Sequence, residues 1–173
     1  YALLWKTSKV DIKGRAYLDN ELASVINREP YIAKFKLKSS ENTFHVVNFH
    51  SRKHDDKPEL EIQYFNKYQQ RLNTDKLLIV GDFNLNEKHQ VWNELYQQCF
   101  KSALNGKKTT LKQKCSKRNY LSHEIDNVYY SKSVISVNSG VIDYVEMCKN
   151  LKTARLISDH LPVFMEFNFE VNN

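Results

Sequence analysis

Two histidines and three aspartates stand where apolar runs begin or end. His50 closes the run Phe44–Phe49, Asp82 and Asn84 follow Leu77–Val80, and Asp126 lies near the start of Ile125–Tyr130. Asp159 and His160 immediately precede the last alternating stretch. Such a set offers proton donors, proton acceptors and oxygen ligands for a hard cation. Mg²⁺ takes one or two carboxylates and fills its remaining positions with waters and substrate phosphate oxygens. A carboxylate hydrogen-bonded to a histidine fixes its tautomer and favours the imidazolium. Phosphate-ester hydrolysis draws on all of these: an activated water, neutralised phosphate oxygens and help for the leaving oxygen. General acid–base help contributes roughly 10²–10⁴-fold, and electrostatic stabilisation of the phosphate is commonly the larger effect.

Each residue also has a plainer use. Gly-Asp-x-Asn after a strand is ordinary turn chemistry for Asp82 and Asn84. Asp159 could merely cap a turn, and a lone His50 at a strand end could be a solvated rim residue. Asp126 is more telling, because an unpaired carboxylate in an apolar strand is costly. His45, His54, His89 and His123 have no such company and read as surface residues.

Periodicity supplies the elements that must position these groups. Tyr1–Trp5 reads as a strand. Tyr31, Ala33, Phe35 and Leu37 alternate with outward Lys34 and Lys36, and a turn at 39–42 joins them to Phe44–Phe49 as a hairpin. Pro58 suits the first turn of a helix, after which Leu60, Tyr64, Phe65, Tyr68 and Leu72 recur at helical spacing. Leu77–Val80 reads as a buried strand ended by Gly81. A second helix carries Val91, Trp92, Leu95, Cys99 and Phe100, with Gly106 as its stop. Residues 107–118 are Lys-rich and aperiodic, hence a loop. Strands follow at 125–130 and 134–137, and in the last one Val163, Met165, Phe167, Phe169 and Val171 alternate with Phe164, Glu166, Asn168 and Glu170. About seven strands and two helices predict an α+β layered sandwich, whose strand ends gather at its rims.

Composition narrows the class. A chain of 173 residues predicts one domain. Its 41% apolar and 12% aromatic content excludes a disordered chain. No apolar stretch approaches the roughly 18 residues that a membrane helix needs. A net charge of +6 favours a polyanionic partner or serves solubility, with nothing to choose between them on charge alone. Cys99, Cys115 and Cys148 are an odd, widely spaced set without CxxC pairing. They predict reduced, buried thiols rather than a disulfide framework or a zinc site.

In order along the chain, the motifs resemble the endonuclease/exonuclease/phosphatase superfamily. Gly81-Asp82-Phe83-Asn84 follows a buried strand, and Ser158-Asp159-His160-Leu161-Pro162-Val163 precedes the last one. Asn27-Arg28-Glu29-Pro30 before the hairpin and Asn48-Phe49-His50-Ser51 within it narrow the resemblance to the deoxyribonuclease I branch. Glu124-Ile125-Asp126-Asn127-Val128 resembles that branch's acidic strand-start motif. The resemblance covers nearly the whole chain. It implies a four-layered α/β/β/α sandwich with a divalent-metal phosphodiesterase site on one rim. It further implies that His50 and His160 are acid/base imidazoles, that Asp126 orients His160, and that Asp82 and Asn84 hold the scissile phosphate, the water or a metal. Asp159 would help bind the metal, and Arg28 would contact a substrate phosphate through its guanidinium fork. The cofactor implied is Mg²⁺ or Mn²⁺, with Ca²⁺ as a structural ion.

Family members begin with a strand ending in a catalytic Asn and a strand ending in a metal-binding Glu, and a further acidic residue pairs with the first His. None of these has a match here. The resemblance therefore implies that residues 1–173 are the C-terminal two-thirds of a single domain. A completing N-terminal fragment would be a partner, and activity of these residues by themselves would be weak. The function implied is a nuclease with DNA as the expected nucleic acid. Lys107, Lys108, Lys112, Lys114, Lys117 and Arg118 would either track its backbone or form a solvated face. Two alternatives stand: superfamily phosphatase or phospholipase action on a phosphoinositide or sphingophospholipid, and a non-catalytic nucleic-acid-binding remnant. The compartment, secreted or cytoplasmic, is left open.

Overall fold

The computed structural model describes residues 1–170. Strands β1 (Val10–Leu18), β2 (Tyr31–Leu37) and β3 (Thr43–His50) run antiparallel in succession. The chain then crosses through α1 (Glu59–Ile62), a 3₁₀ turn (Gln63–Lys67) and α2 (Tyr68–Arg71) to β4 (Leu77–Asp82), which lies parallel to β3. A parallel neighbour demands such a long crossover, and this one lays Ile62, Phe65 and Tyr68 on the sheet. Next come α3 (Asn93–Gln97), β5 (Lys101–Ser102), the hairpin β6 (Leu111–Ser116) and β7 (Asn119–Leu121), and β8 (Asp126–Tyr130), antiparallel to β4. The chain ends with β9 (Val134–Val141), α4 (Leu151–Ala154) and β10 (Val163–Phe169). The main sheet has the order β1-β2-β3-β4-β8-β5, and β9 and β10 form a separate antiparallel ribbon.

The main sheet is buried on both faces. Ile32, Val47, Phe49, Ile79 and Tyr129 pack under Ile62, Phe65, Trp92 and Leu95 on the helical side. Ala33, Phe35, Phe44, Leu78 and Val128 meet Met165, Phe167 and Phe169 of the ribbon on the other. A third cluster joins Leu151 and Ala154 of α4 to Leu111 and Leu161. This is a mixed α+β layered architecture of the expected class. Burial on both faces explains why β2 keeps Ile32 inside although strict alternation turns it outward.

Several expectations are corrected. Tyr1–Trp5 has no regular structure, and the edge strand is β1 instead. Its period is hidden by an irregularity between Lys13 and Tyr17, around Gly14 at φ +75°. The helical stretches break into short α and 3₁₀ turns, and α3 ends well before Gly106, with Cys99 taking the left-handed backbone (φ 64°). The Lys-rich 107–118 loop contains β6, whose turn to β7 is made by Lys117 and Arg118, both at positive φ. That is the backbone of a two-residue hairpin turn without its usual Asn-Gly. The strand at 134 runs on to Val141. Cys115 and Cys148 form a disulfide with Cα atoms 5.6 Å apart, and Cys99 is exposed, so the expectation of three reduced, buried thiols fails. Their 33-residue separation carries no pattern; the unforeseen hairpin brings them together. His45 is buried rather than at the surface. Val171 lies outside the described residues.

Candidate active site

Strand register assembles the centre of the site. The parallel pairing of β3 with β4 sets His50 beside Asp82, and the antiparallel pairing of β4 with β8 sets Asp82 beside Asp126. Paired residues on neighbouring strands point to the same face, so the three form one row at the rim. Gly81 permits the row: its φ is +144°, and a Cβ there would sit 1.8 Å from the Phe49 carbonyl oxygen. His160 arrives from the loop before β10, held by a bridge between its backbone and that of Thr110. Ser158 Oγ accepts from the His160 amide at 2.9 Å.

Side chains complete the geometry. His160 Nδ1 lies 2.9 Å from Asp126 Oδ2 and 3.1 Å from Oδ1. The opposite nitrogen, Nε2, faces Asp82 Oδ2 at 3.8 Å, and His50 Nε2 faces the same oxygen at 3.6 Å. Asp82 thus stands between two imidazoles. Its other oxygen accepts from the Asn84 amide at 2.9 Å, in a turn that holds Asn84 at φ 51°. Burial pushes the Asp82 carboxyl above its ordinary range, against the pull of the Asn84 amide. The hydrogen bond that His160 Nδ1 donates to the Asp126 carboxylate raises the His160 imidazolium above its ordinary value.

Thr109 is a member that sequence reasoning missed. It is buried, donates from Oγ1 to Asp126 Oδ2 at 2.6 Å and accepts from the Asp126 amide at 3.1 Å. Nothing in Lys107-Lys108-Thr109-Thr110 marks it, because its role depends on β6 lying against the His160 loop. The Leu161 amide donates to the Thr109 carbonyl and the Leu111 amide to the Asp159 carbonyl, bracketing His160.

The remaining residues flank this centre. Arg28 is exposed and donates from Nη1 to the Ser51 carbonyl at 3.2 Å, next to His50. The Asp159 side chain is 63% exposed, lies 3.9 Å from Arg155 Nη2 and stands outside the cluster of Asp82, Asp126 and His160. Asn84 lines a cavity of about 360 Å³ together with Asn86, His54, Ser122, His123 and Glu124.

Asp82, Asp126 and His160 are the one group among the described residues with potential metal-ligand atoms all within 4.8 Å of one another. Both Asp126 oxygens are already engaged by His160 and Thr109, which leaves Asp82 Oδ2 as the free carboxylate oxygen. That fits a hard cation bound through one carboxylate, with phosphate oxygens and waters as its other ligands, and not an all-protein cage.

No family model matches the sequence, and no curated protein matches it. Solved structures do. An endonuclease/exonuclease/phosphatase family protein from Bacteroides thetaiotaomicron aligns over 96% of this chain and 68% of its own, at 16% identity and a TM-score of 0.69. A mannosyl-6-phosphatase from the same organism aligns over 95% and 69%, at 17% identity and a TM-score of 0.69. TDP2 of D. rerio, complexed with single-strand DNA product, aligns over 93% and 69%, at 12% identity and a TM-score of 0.57. At these identities the likeness is one of fold: the chain has the fold of endonuclease/exonuclease/phosphatase proteins.

Proposed function

We propose that this protein is a divalent-metal-dependent phosphodiesterase acting on nucleic acid, with DNA as the substrate. The observation that carries the reading is Asp82 Oδ2 standing 3.6 Å from His50 Nε2 and 3.8 Å from His160 Nε2, while Asp126 holds the far side of His160. Two imidazoles on either side of one carboxylate suit in-line attack on a phosphate seated between them.

In this mechanism His160 takes a proton from the attacking water at Nε2, and Asp126 stabilises the imidazolium that forms. The water oxygen bonds to phosphorus as the P–O bond to the leaving group breaks, and His50 gives a proton to the departing oxygen. Asn84 and Arg28 hold phosphate oxygens by hydrogen bonding. Asp82 would hold Mg²⁺ or Mn²⁺, which neutralises charge on the phosphate oxygens. Asp159 is exposed enough to turn toward that ion. A structural Ca²⁺ belongs to the same family expectation.

Nucleic acid is favoured by charge around the site. Lys112, Lys114, Lys117 and Arg118 stud the β6–β7 hairpin, whose first residues touch the His160 loop. A phosphate backbone crossing the site would meet this hairpin. One similar structure holds single-strand DNA product. A second reading, hydrolysis of a small phosphomonoester, is favoured by the cavity beside Asn84. Its His, Asn, Ser and Glu lining suits an uncharged, hydroxyl-rich group.

Plasmid nicking by the protein with Mg²⁺, and again with EDTA, tests the proposal. Metal-dependent nicking supports it. Release of phosphate from sugar phosphates or lipids without nicking favours the alternatives, and DNA binding without cleavage makes the protein a non-catalytic binder.

A further inference from the structure

We propose that Glu61 is a positioning residue that locks the Arg28 loop to the His50 loop, and so sets the phosphate-binding guanidinium against the reacting imidazole. The inference rests on the phosphoesterase reading of the site.

Glu61 lies on α1 and is completely buried. A carboxylate there is tolerated only if its lone pairs are filled. Three donors fill them, and they come from two loops. Oε1 accepts from the Asn27 amide at 2.6 Å and from Arg52 Nε at 3.0 Å, and Oε2 accepts from the Arg52 amide at 2.8 Å. Asn27 directly precedes Arg28, and Arg52 stands two residues after His50. One buried anion therefore grips the backbone on the approach to each residue. Two further contacts join the same loops: Arg28 Nη1 donates to the Ser51 carbonyl at 3.2 Å, and the Tyr1 hydroxyl accepts from the His50 amide at 3.0 Å while reaching the Arg28 carbonyl at 3.4 Å.

The need for a carboxylate is chemical. Glutamine keeps the length but has one acceptor oxygen, and its amide nitrogen donates. In place of Glu61 it would face one backbone N–H with another N–H. The two loops would then separate, and Arg28 would lose its fixed distance from His50. Aspartate keeps the charge but is one methylene shorter, so it reaches one loop better than both.

The test is titration of the full-length protein with inorganic phosphate in the presence of Mg²⁺, followed by NMR at the His50 imidazole. It is paired with KM and kcat for bis(p-nitrophenyl) phosphate. Glu61→Gln should weaken phosphate binding and raise KM roughly tenfold, as expected when a charge-assisted hydrogen bond is misplaced. Arg28→Ala should do the same, and the double variant should be little worse than either, because Glu61 acts through Arg28. Should Glu61→Gln fail to fold, Glu61→Asp replaces it, with phosphate affinity expected between wild type and Arg28→Ala. A merely structural Glu61 would lower apparent kcat through a smaller folded fraction and leave KM and phosphate affinity unchanged. That result in either folded variant overturns the inference while leaving the reading of the site intact. Wild-type protein that neither binds phosphate nor hydrolyses the diester overturns the reading itself, and the inference with it.

Discussion

Asp126 Oδ2 lies 2.9 Å from His160 Nδ1 and accepts from Thr109 Oγ1 at 2.6 Å, so a buried threonine steadies the carboxylate that steadies the imidazole. The row His50, Asp82, Asp126 is a product of strand register, whereas His160 is brought in by a loop and owes its orientation to this chain of hydrogen bonds.

Asp126→Asn should therefore lower kcat by roughly 10²–10⁴-fold, the range of a lost general acid–base contribution. KM should change little. Thr109→Val should fall between Asp126→Asn and wild type. Steady-state kinetics on a small diester give both numbers.

The same pair sets a pH dependence of stability. The His160 value is raised in the folded protein, so its stabilising contribution is complete below its ordinary value of 6.5 and fades as pH rises through the folded value. Asp82 is also raised, so it too favours the metal-free fold on the acid side and costs stability as pH climbs past 3.8 toward its folded value. Metal-free protein should lose Tm between about pH 6 and about pH 8, and Asp126→Asn should shrink that loss. Thermal melts in EDTA at the two pH values measure it.

Gly81→Ala should be severe. The position combines a backbone conformation that side chains rarely adopt with a carbonyl oxygen 1.8 Å from the added carbon. Strain of this kind costs about 1–3 kcal/mol before the clash is counted. Relief requires β3 and β4 to separate where His50 and Asp82 are paired. Both Tm and turnover should fall, and chemical denaturation gives the stability loss.

Much of this site is legible without any knowledge of the fold. Asp82, Asn84, Asp126 and His160 each sit where an apolar run meets a polar cluster, and that is visible in one dimension. Thr109 cannot be found that way, because its neighbours Lys107, Lys108 and Thr110 give no period. The β6–β7 hairpin escapes for a related reason: its turn uses Lys117 and Arg118 in left-handed backbone instead of Asn-Gly, and of its apolar positions only Leu111 is deeply buried. The disulfide is hidden with it. Gly14 similarly hides β1 by breaking the alternation of Val10, Ile12 and Ala16.

The Cys115–Cys148 disulfide joins that hairpin to the turn before α4, and Arg155 Nη1 donates to the Leu111 carbonyl at 2.7 Å in the same region. Closing a loop of this length stabilises by about 4 kcal/mol on the chain-entropy estimate. Reduction, or Cys115→Ser with Cys148→Ser, should lower Tm measurably. It should also slow turnover, because the His160 loop leans on β6. Melts with and without reductant check the first effect, and kinetics the second.

The basic hairpin makes a separate prediction. Replacing Lys112, Lys114, Lys117 and Arg118 by Ala should weaken polynucleotide binding and flatten its salt dependence by about 0.9 for each phosphate that is no longer neutralised. Hydrolysis of a small diester should be unaffected. Binding isotherms over a range of salt concentrations decide it.

The most direct test compares supercoiled-plasmid nicking by the full-length protein and its His160→Ala variant, each with Mg²⁺ and with EDTA. Nicking should require the metal and should fall at least about 10²-fold in a variant that stays folded by circular dichroism. Nicking that survives EDTA, or that proceeds undiminished without the His160 imidazole, would contradict the account.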